Sequence, residues 1–294
     1  MQLPTFLLIG IQKAGTTSIY EYLKQHPQVY VSPVKETNFL EKDWSKIPPN
    51  SRKKRKIDTF EKYSQLFQAV TDEIAIGEAS PNYLFHYQSS AQLIQHYLPQ
   101  AKMIAILRDP AERAHSDYLM HIREGINEDI SLAEQIKFRT NSSFTIKKGF
   151  YYTPIKHYYE TFGKEQIKIY LYEDLCNNPV ALMQDIYQFI GVDSNFCPDT
   201  AKKYQVAQPP KVKFVNTLLR KQNLPRTIVA SVLRYLLPLT IRQSIRSSLI
   251  NLNSTDKKQA PFSPEDRQQL VALYREDILQ LQDLIQRDLS SWLS

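Results

Sequence analysis

Lys13, Gly15 and three consecutive hydroxyl residues, Thr16, Thr17 and Ser18, fall within six residues, directly after the apolar run Phe6–Gly10. If the run is a strand and a helix starts at Thr16, the amides of Ala14 to Ser18 turn into one concavity. The positive end of the helix dipole then lies behind them. Gly15 lets the backbone approach an oxyanion closely, the hydroxyls add donors, and Lys13 supplies a full charge. An anion cradle is the chemistry this spacing predicts. It is not the ATPase form, in which lysine follows the second glycine and reaches the β- and γ-phosphates. Here Thr16 occupies that place and Lys13 precedes Gly15 by two residues. A strand–turn–helix corner with capping hydroxyls is the plainer alternative.

A second stretch repeats the logic. MIAILRDPAERAHSDY reads as a strand, then Arg108, then Asp109-Pro110 opening a helix that carries Ser116. A guanidinium at a strand end and a serine about two turns into the next helix can bracket a phosphate, because the planar fork binds it bidentately. An Arg108–Asp109 surface pair is the bland alternative. Between the two stretches, Glu36 follows a short strand and belongs to the same rim, where a carboxylate can take a proton from an attacking hydroxyl.

The elements that must position these groups alternate. Besides Phe6–Ile11, short runs rich in β-branched residues occur at Val29–Ser32, Ile74–Gly77, Met103–Arg108 and Ile167–Tyr172. Continuous apolar runs of this length fit strands buried on both faces of a parallel sheet. Helical patterns lie between and after them, at Ser18–Gln25, Thr59–Ala69, Ser90–Tyr97, Ala111–Glu124, Thr153–Phe162 and Val180–Ile190. The fold class is therefore α/β, a parallel central sheet flanked by helices, whose ligands sit at the carboxyl ends of the strands. One domain over 1–294 is expected: an α/β nucleotide-binding core (1–200), a basic and apolar flap or lid (201–262) and a C-terminal helix (263–294). That last helix starts well, with Ser263 as N-cap, Pro264 at N1 and Glu265 and Asp266 in the first turn.

In this order, K-x-G-T-T-S, a glutamate before x-N-F, S-P-x-Y and L-R-D-P-x-x-R-x-x-S-x-Y, the sequence resembles the PAPS-dependent sulfotransferases. It looks closest to their carbohydrate branch, with the heparan sulfate sulfotransferase domains and bacterial relatives. The matching blocks are QKAGTTSIYEYLKQHPQV, KETNFLE, GEASPNYL and AILRDPAERAHSDYLMH, with KKGFYYTPIKHYYETFGKEQIKIYLYEDL and RDLSSW continuing the likeness. The resemblance implies a P-loop-nucleotide-hydrolase-like sulfotransferase fold and PAPS as co-substrate, with no metal required. It implies that Lys13, Ala14, Gly15, Thr16, Thr17 and Ser18 hold the 5′-phosphosulfate, and that Arg108 and Ser116 hold the 3′-phosphate. Glu36 then takes the general-base position, Lys13 stabilises the leaving oxygen, and Lys35, Phe39, Ser80 and Tyr83 lie towards the acceptor. Two places depart from the pattern. Ala79 stands where heparan-type members often carry a lysine, so an acceptor or sulfate contact is lost or moved. The second nucleotide-clamping loop aligns poorly, and KKYQVAQPPK is its candidate, with Lys203 and Lys211 as ligands.

Bulk properties narrow the partners. Of 294 residues, 42% are hydrophobic, enough for a sizeable core, and the net charge of +7 suits an anionic ligand. Cys176 and Cys197 lack metal-site spacing, so a reducing compartment is the default, with one bridge between them left open. The N-terminus lacks the n-region and cleavage site of a signal peptide, so a soluble, cytoplasmic protein is expected. The acceptor is a hydroxyl compound, glycan first and a lipid or small-molecule alcohol second. No nucleic acid is expected, the apolar stretch 227–239 leaves a peripheral membrane contact open, and the sequence does not give the oligomeric state. The basic run Ser51–Lys56 is a solvated loop or a grip on a polyanion. Two rivals carry distinct signatures: a P-loop metabolite kinase would need a lysine after Gly15, and a polyanion-binding module would not need Lys13, Glu36 and Arg108 together.

Overall fold

A computed structural model of the chain describes residues 2–48, 57–124, 126, 130–201 and 262–294. Lys203, Lys211, the basic run 51–56 and the apolar stretch 227–239 lie outside the described residues. Five parallel strands form one sheet: β1 (Phe6–Gly10), β2 (Val29–Val31), β3 (Ala75–Ala79), β4 (Lys102–Leu107) and β5 (Ile167–Leu171). Their spatial order is β2-β3-β1-β4-β5. Every residue of β1 and β3 is buried, as strands covered on both faces must be.

The chain winds from β1 out to β2 and back to β3 on one side of the sheet, then resumes with β4 on the other. The order therefore reverses at the β1–β4 pair, and the crevice beyond their carboxyl ends is where such sheets bind ligands. Both expected phosphate elements open there. Helix α1 (Thr16–Leu23) follows β1, and α4 (Pro110–Glu124) follows β4 after α2 (Phe60–Ser64) and α3 (Tyr87–Tyr97).

Further along come α5 (Leu132–Phe138), α6 (Phe144–Lys147), α7 (Tyr152–Phe162), α8 (Tyr172–Asn177) and α9 (Pro179–Ile190). The chain ends on α10 (Pro264–Ile285) and a 3₁₀ turn, Ser290–Leu293. Ser263 caps α10 by accepting from the Asp266 amide at 3.3 Å. Leu270, Val271, Tyr274, Ile278 and Leu281 form its buried face, packed against α4, α5 and α7. Both cysteines are free and exposed, so they do not pair.

Candidate functional site

The turn after β1 is held in an unusual conformation. Lys13 and Gly15 both have positive φ, 72° and 91°. For lysine this region costs about 1–2 kcal/mol, and such strain gathers at functional sites. Gly15 is required twice over. A Cβ there would lie 2.4 Å from Leu175 Cδ2 and 3.3 Å from the Tyr172 ring, so α8 seals the back of the turn. The Ala14 amide donates to the Ile11 carbonyl at 3.3 Å and the Ser18 amide to the Gly15 carbonyl at 2.9 Å. Those two amides are engaged, which narrows the expected five-amide cradle. The Gly15, Thr16 and Thr17 amides find no acceptor among the described residues, and they open towards the crevice at the start of α1. Thr16 is buried, while Thr17 and Ser18 are half-buried beside it.

Arg108 closes the other side. Its Nη1 donates to the Lys13 carbonyl at 3.2 Å, its Nη2 lies 3.5 Å from Glu112, and its guanidinium rests 4.7 Å above the Tyr172 ring. Tyr151 is buried, and its hydroxyl donates to the Arg108 carbonyl at 2.9 Å, which fixes the backbone at the strand end. Asp109 does not pair with Arg108. One of its oxygens caps α4 through the Ala111 and Glu112 amides, and the other accepts from Arg267 of α10 at 3.0 Å. Ser116 lies half-buried on α4, and its hydroxyl makes no hydrogen bond among the described residues.

The Lys13 ammonium makes no ion pair among the described residues. Burial pushes its pKa down, with Arg123 and Arg108 adding to the effect against the opposing fields of Asp117 and Glu124. A desolvated cation, three orphan amides, hydroxyls and a guanidinium on one crevice form a donor set for a polyanion, and it fits a nucleotide bearing phosphate and sulfuryl groups.

Glu36 follows β2 with φ 59°, and its amide donates to the Ala79 carbonyl at 2.8 Å, so the strand end of β3 holds it. Its carboxylate is partly exposed and pairs with Lys35 at 2.8 Å. The other three residues expected near the acceptor lie deeper. Phe39 stacks on Tyr63 at 4.6 Å, and Phe39, Ser80 and Tyr83 are all buried. Each takes part in the packing or hydrogen bonding beneath the Glu36 loop.

The centre of that bonding, Glu78 on β3, was not singled out from the sequence. It is fully buried and accepts from Thr37 at 2.7 Å, from Tyr83 at 3.0 Å, from Tyr63 at 3.3 Å and from Ser80. Ser80 in turn accepts from the Asn38 amide at 3.0 Å, and Tyr83 from the Leu40 amide at 3.1 Å. Burial raises the Glu78 pKa against the opposing pull of these hydroxyls. An acidic residue inside an otherwise apolar strand was the available signal.

Comparison with known proteins identifies the family. The sulfotransferase family model matches residues 4–196. Over 246 residues the chain is 28% identical to carbohydrate sulfotransferase 15 of Mus musculus, an alignment that covers 65% of this chain and 44% of that protein. Over 202 residues it is 29% identical to the bifunctional heparan sulfate N-deacetylase/N-sulfotransferase 3 of Homo sapiens, covering 65% of this chain and 22% of that one. The chain thus spans less than half the length of these relatives. Among solved structures, a sulfotransferase from Alicyclobacillus acidocaldarius shares the fold, with a TM-score of 0.71, 26% identity and 100% coverage of both chains.

Proposed function

The chain belongs to the sulfotransferase family, and on that premise we propose that it moves a sulfuryl group from PAPS, the co-substrate of this family, to an acceptor hydroxyl on a carbohydrate. The observation that carries the assignment is the convergence, at one strand crevice, of the desolvated Lys13 ammonium, the orphan amides of Gly15 to Thr17 and the Arg108 fork. Relatives named for carbohydrate and heparan sulfate substrates support the acceptor class. Among the described residues no helix is long and apolar enough to cross a membrane.

In this reading the amides and hydroxyls of residues 15–18 hold the 5′-phosphosulfate, and Arg108 with Ser116 grips the 3′-phosphate. Glu36 takes the proton from the attacking hydroxyl. To do so its carboxylate must turn from Lys35, a partly exposed pair whose separation costs about 0–1 kcal/mol. Lys13 donates to the oxygen that leaves with the phosphate, where a fixed charge in a dry site acts most strongly on the transition state.

Thermal-shift titration tests the reading. Adenosine 3′,5′-bisphosphate should stabilise the chain without Mg²⁺, whereas stabilisation by Mg-ATP alone would transfer it to the kinases. Lys13→Ala should then cost about 10²–10³ in transfer rate and Glu36→Gln roughly 10²–10⁴, measured from labelled PAPS onto an acceptor panel. Unchanged transfer in both variants would refute the roles assigned here.

A further inference from the structure

Lys148 follows α6 at the edge of the crevice. Its ammonium donates to the side-chain oxygen of Gln12, the residue immediately before Lys13, and lies 5.7 Å from the Phe85 ring centroid. Four charged groups face it. Asp117 on α4, Glu36 and Glu41 favour the ammonium and Arg113 opposes it, yet none of the three carboxylates forms an ion pair with it among the described residues. Burial is the largest influence, and it pushes the Lys148 pKa down.

The backbone around Lys148 is fixed on both sides by buried ties to distant elements. Arg113, fully buried on α4, donates to the Thr145 carbonyl, and the Tyr274 hydroxyl of α10 donates to the Ile146 carbonyl at 2.7 Å. Gly149 lies flat against Tyr274, where a Cβ would come within 2.5 Å of the ring. Asp277 of α10 then accepts from the Tyr151 amide at 2.7 Å and the Tyr152 amide at 3.2 Å. A desolvated ammonium without an ion-pair partner lowers stability, yet five ties hold this one in place. Precise placement of a destabilising charge points to an anionic ligand as the partner that offsets the cost.

We propose that Lys148, oriented by Gln12, forms an anion subsite for the sulfuryl group in transit, separate from the phosphate cradle at residues 15–18. The subsite rests on the sulfotransferase reading above and assigns it a second cation. Lys13 serves the oxygen that stays with the phosphate, and Lys148 serves the oxygens that travel with sulfur. Its position between Gln12 and the field of Glu36 suits that division, because the sulfur moves from the cradle side to the carboxylate side.

Isothermal titration of the full chain with adenosine 3′,5′-bisphosphate and with PAPS separates the two sites, since only PAPS carries the sulfuryl group. Lys148→Met should bind the bisphosphate within about twofold of wild type and lose roughly 10–100-fold in PAPS affinity, the worth of a hydrogen bond to a charged group. Its unliganded thermal midpoint should equal or exceed that of wild type, which a purely structural lysine would not allow. Lys148→Gln, which keeps a donor for Gln12, should show the same selective loss and serves if the methionine variant fails to fold. Equal losses for both ligands, or an unchanged PAPS affinity, would overturn the subsite while leaving the sulfotransferase reading intact. Wild type binding neither ligand would overturn that reading itself.

Discussion

Replacing Glu78 tests whether a buried carboxylate positions the loop that carries Glu36. In Glu78→Ala, four buried hydroxyls lose their common acceptor. Thr37 and Tyr83, already 3.3 Å apart, can bond each other, which leaves Ser80 and Tyr63 unsatisfied. At about 1–3 kcal/mol for each orphaned group, plus the cavity, the loss is roughly 3–5 kcal/mol. That is a large share of the about 5–15 kcal/mol available to a domain. Glu78→Gln should behave differently. Its oxygen can keep Thr37 and Ser80, while its amide donates to Tyr63 and Tyr83 once their hydroxyls turn to accept. The charge state adds a second signature. Burial raises the Glu78 pKa above its ordinary 4.5, so its contribution to stability is complete below pH 4.5 and is lost as pH rises through the folded value. Glutamine does not titrate, so the difference between variant and wild type must move in the variant's favour from pH 4 to pH 7. Urea unfolding at both pH values measures this, and sulfate transfer should fall far more in the alanine variant, whose Asn38 and Leu40 amides lose their fixed acceptors. A glutamine variant as unstable as the alanine one would refute the reasoning, because the network would then require the charge itself.

Three further changes probe the site's supports. Gly15→Ala should destabilise the chain by about 1–2 kcal/mol from backbone conformation alone, with more from the Leu175 contact, and should weaken bisphosphate binding in the same titration. Arg108→Lys keeps the charge and loses the fork, so affinity for adenosine 3′,5′-bisphosphate should drop roughly 10–100-fold while that for adenosine 5′-phosphate stays nearly constant. Asp277 has its pKa raised from 3.8 to about 6 by burial. Its stabilising contribution is whole below pH 3.8 and is lost as pH rises through about 6, a change of about 3 kcal/mol that Asp277→Asn should remove from the urea midpoints.

What the sequence reveals follows the range of the interactions involved. The strands and the two turns expected to hold phosphate are local events, an apolar run and the cap or turn after it, and their positions are legible to within a few residues. Strand β3 shows the limit. The apolar pattern ends at Gly77, yet the strand continues to Ala79, because four hydroxyls, those of Thr37 and Tyr63 from distant elements, make Glu78 tolerable inside it. Helix α5 had a local signal, Ser131 capping it with Glu134 three residues on, but with seven residues it offers little periodicity. Asp109 looked like a partner for Arg108 because the two are adjacent, and no local pattern points to Arg267 as its actual partner. The burial of the residues expected on the acceptor side is likewise hidden from a local pattern. Phe39 lies in the sequence block of Glu36 and Ser80 and Tyr83 in the next one, but membership of a block does not say which side chains turn inwards.

The costs in this structure are concentrated at the carboxyl ends of the strands. Lys13, Glu36 and Asn38 all take positive φ, and Lys13 and Lys148 are both desolvated without an ion pair among the described residues. None of these features stabilises the unliganded fold. Each is held by ties that do: Arg108 on the Lys13 carbonyl, Ala79 on the Glu36 amide, Ser80 on the Asn38 amide, and α4 with α10 on the segment around Lys148. Strain spread over a surface would say little about function. Strain gathered on one crevice and braced from several directions is what preorganisation for a transition state requires, since the donors must already point where charge will develop. It follows that neutralising either lysine should make the empty protein more stable and the catalyst worse. Substitutions in the braces should harm both.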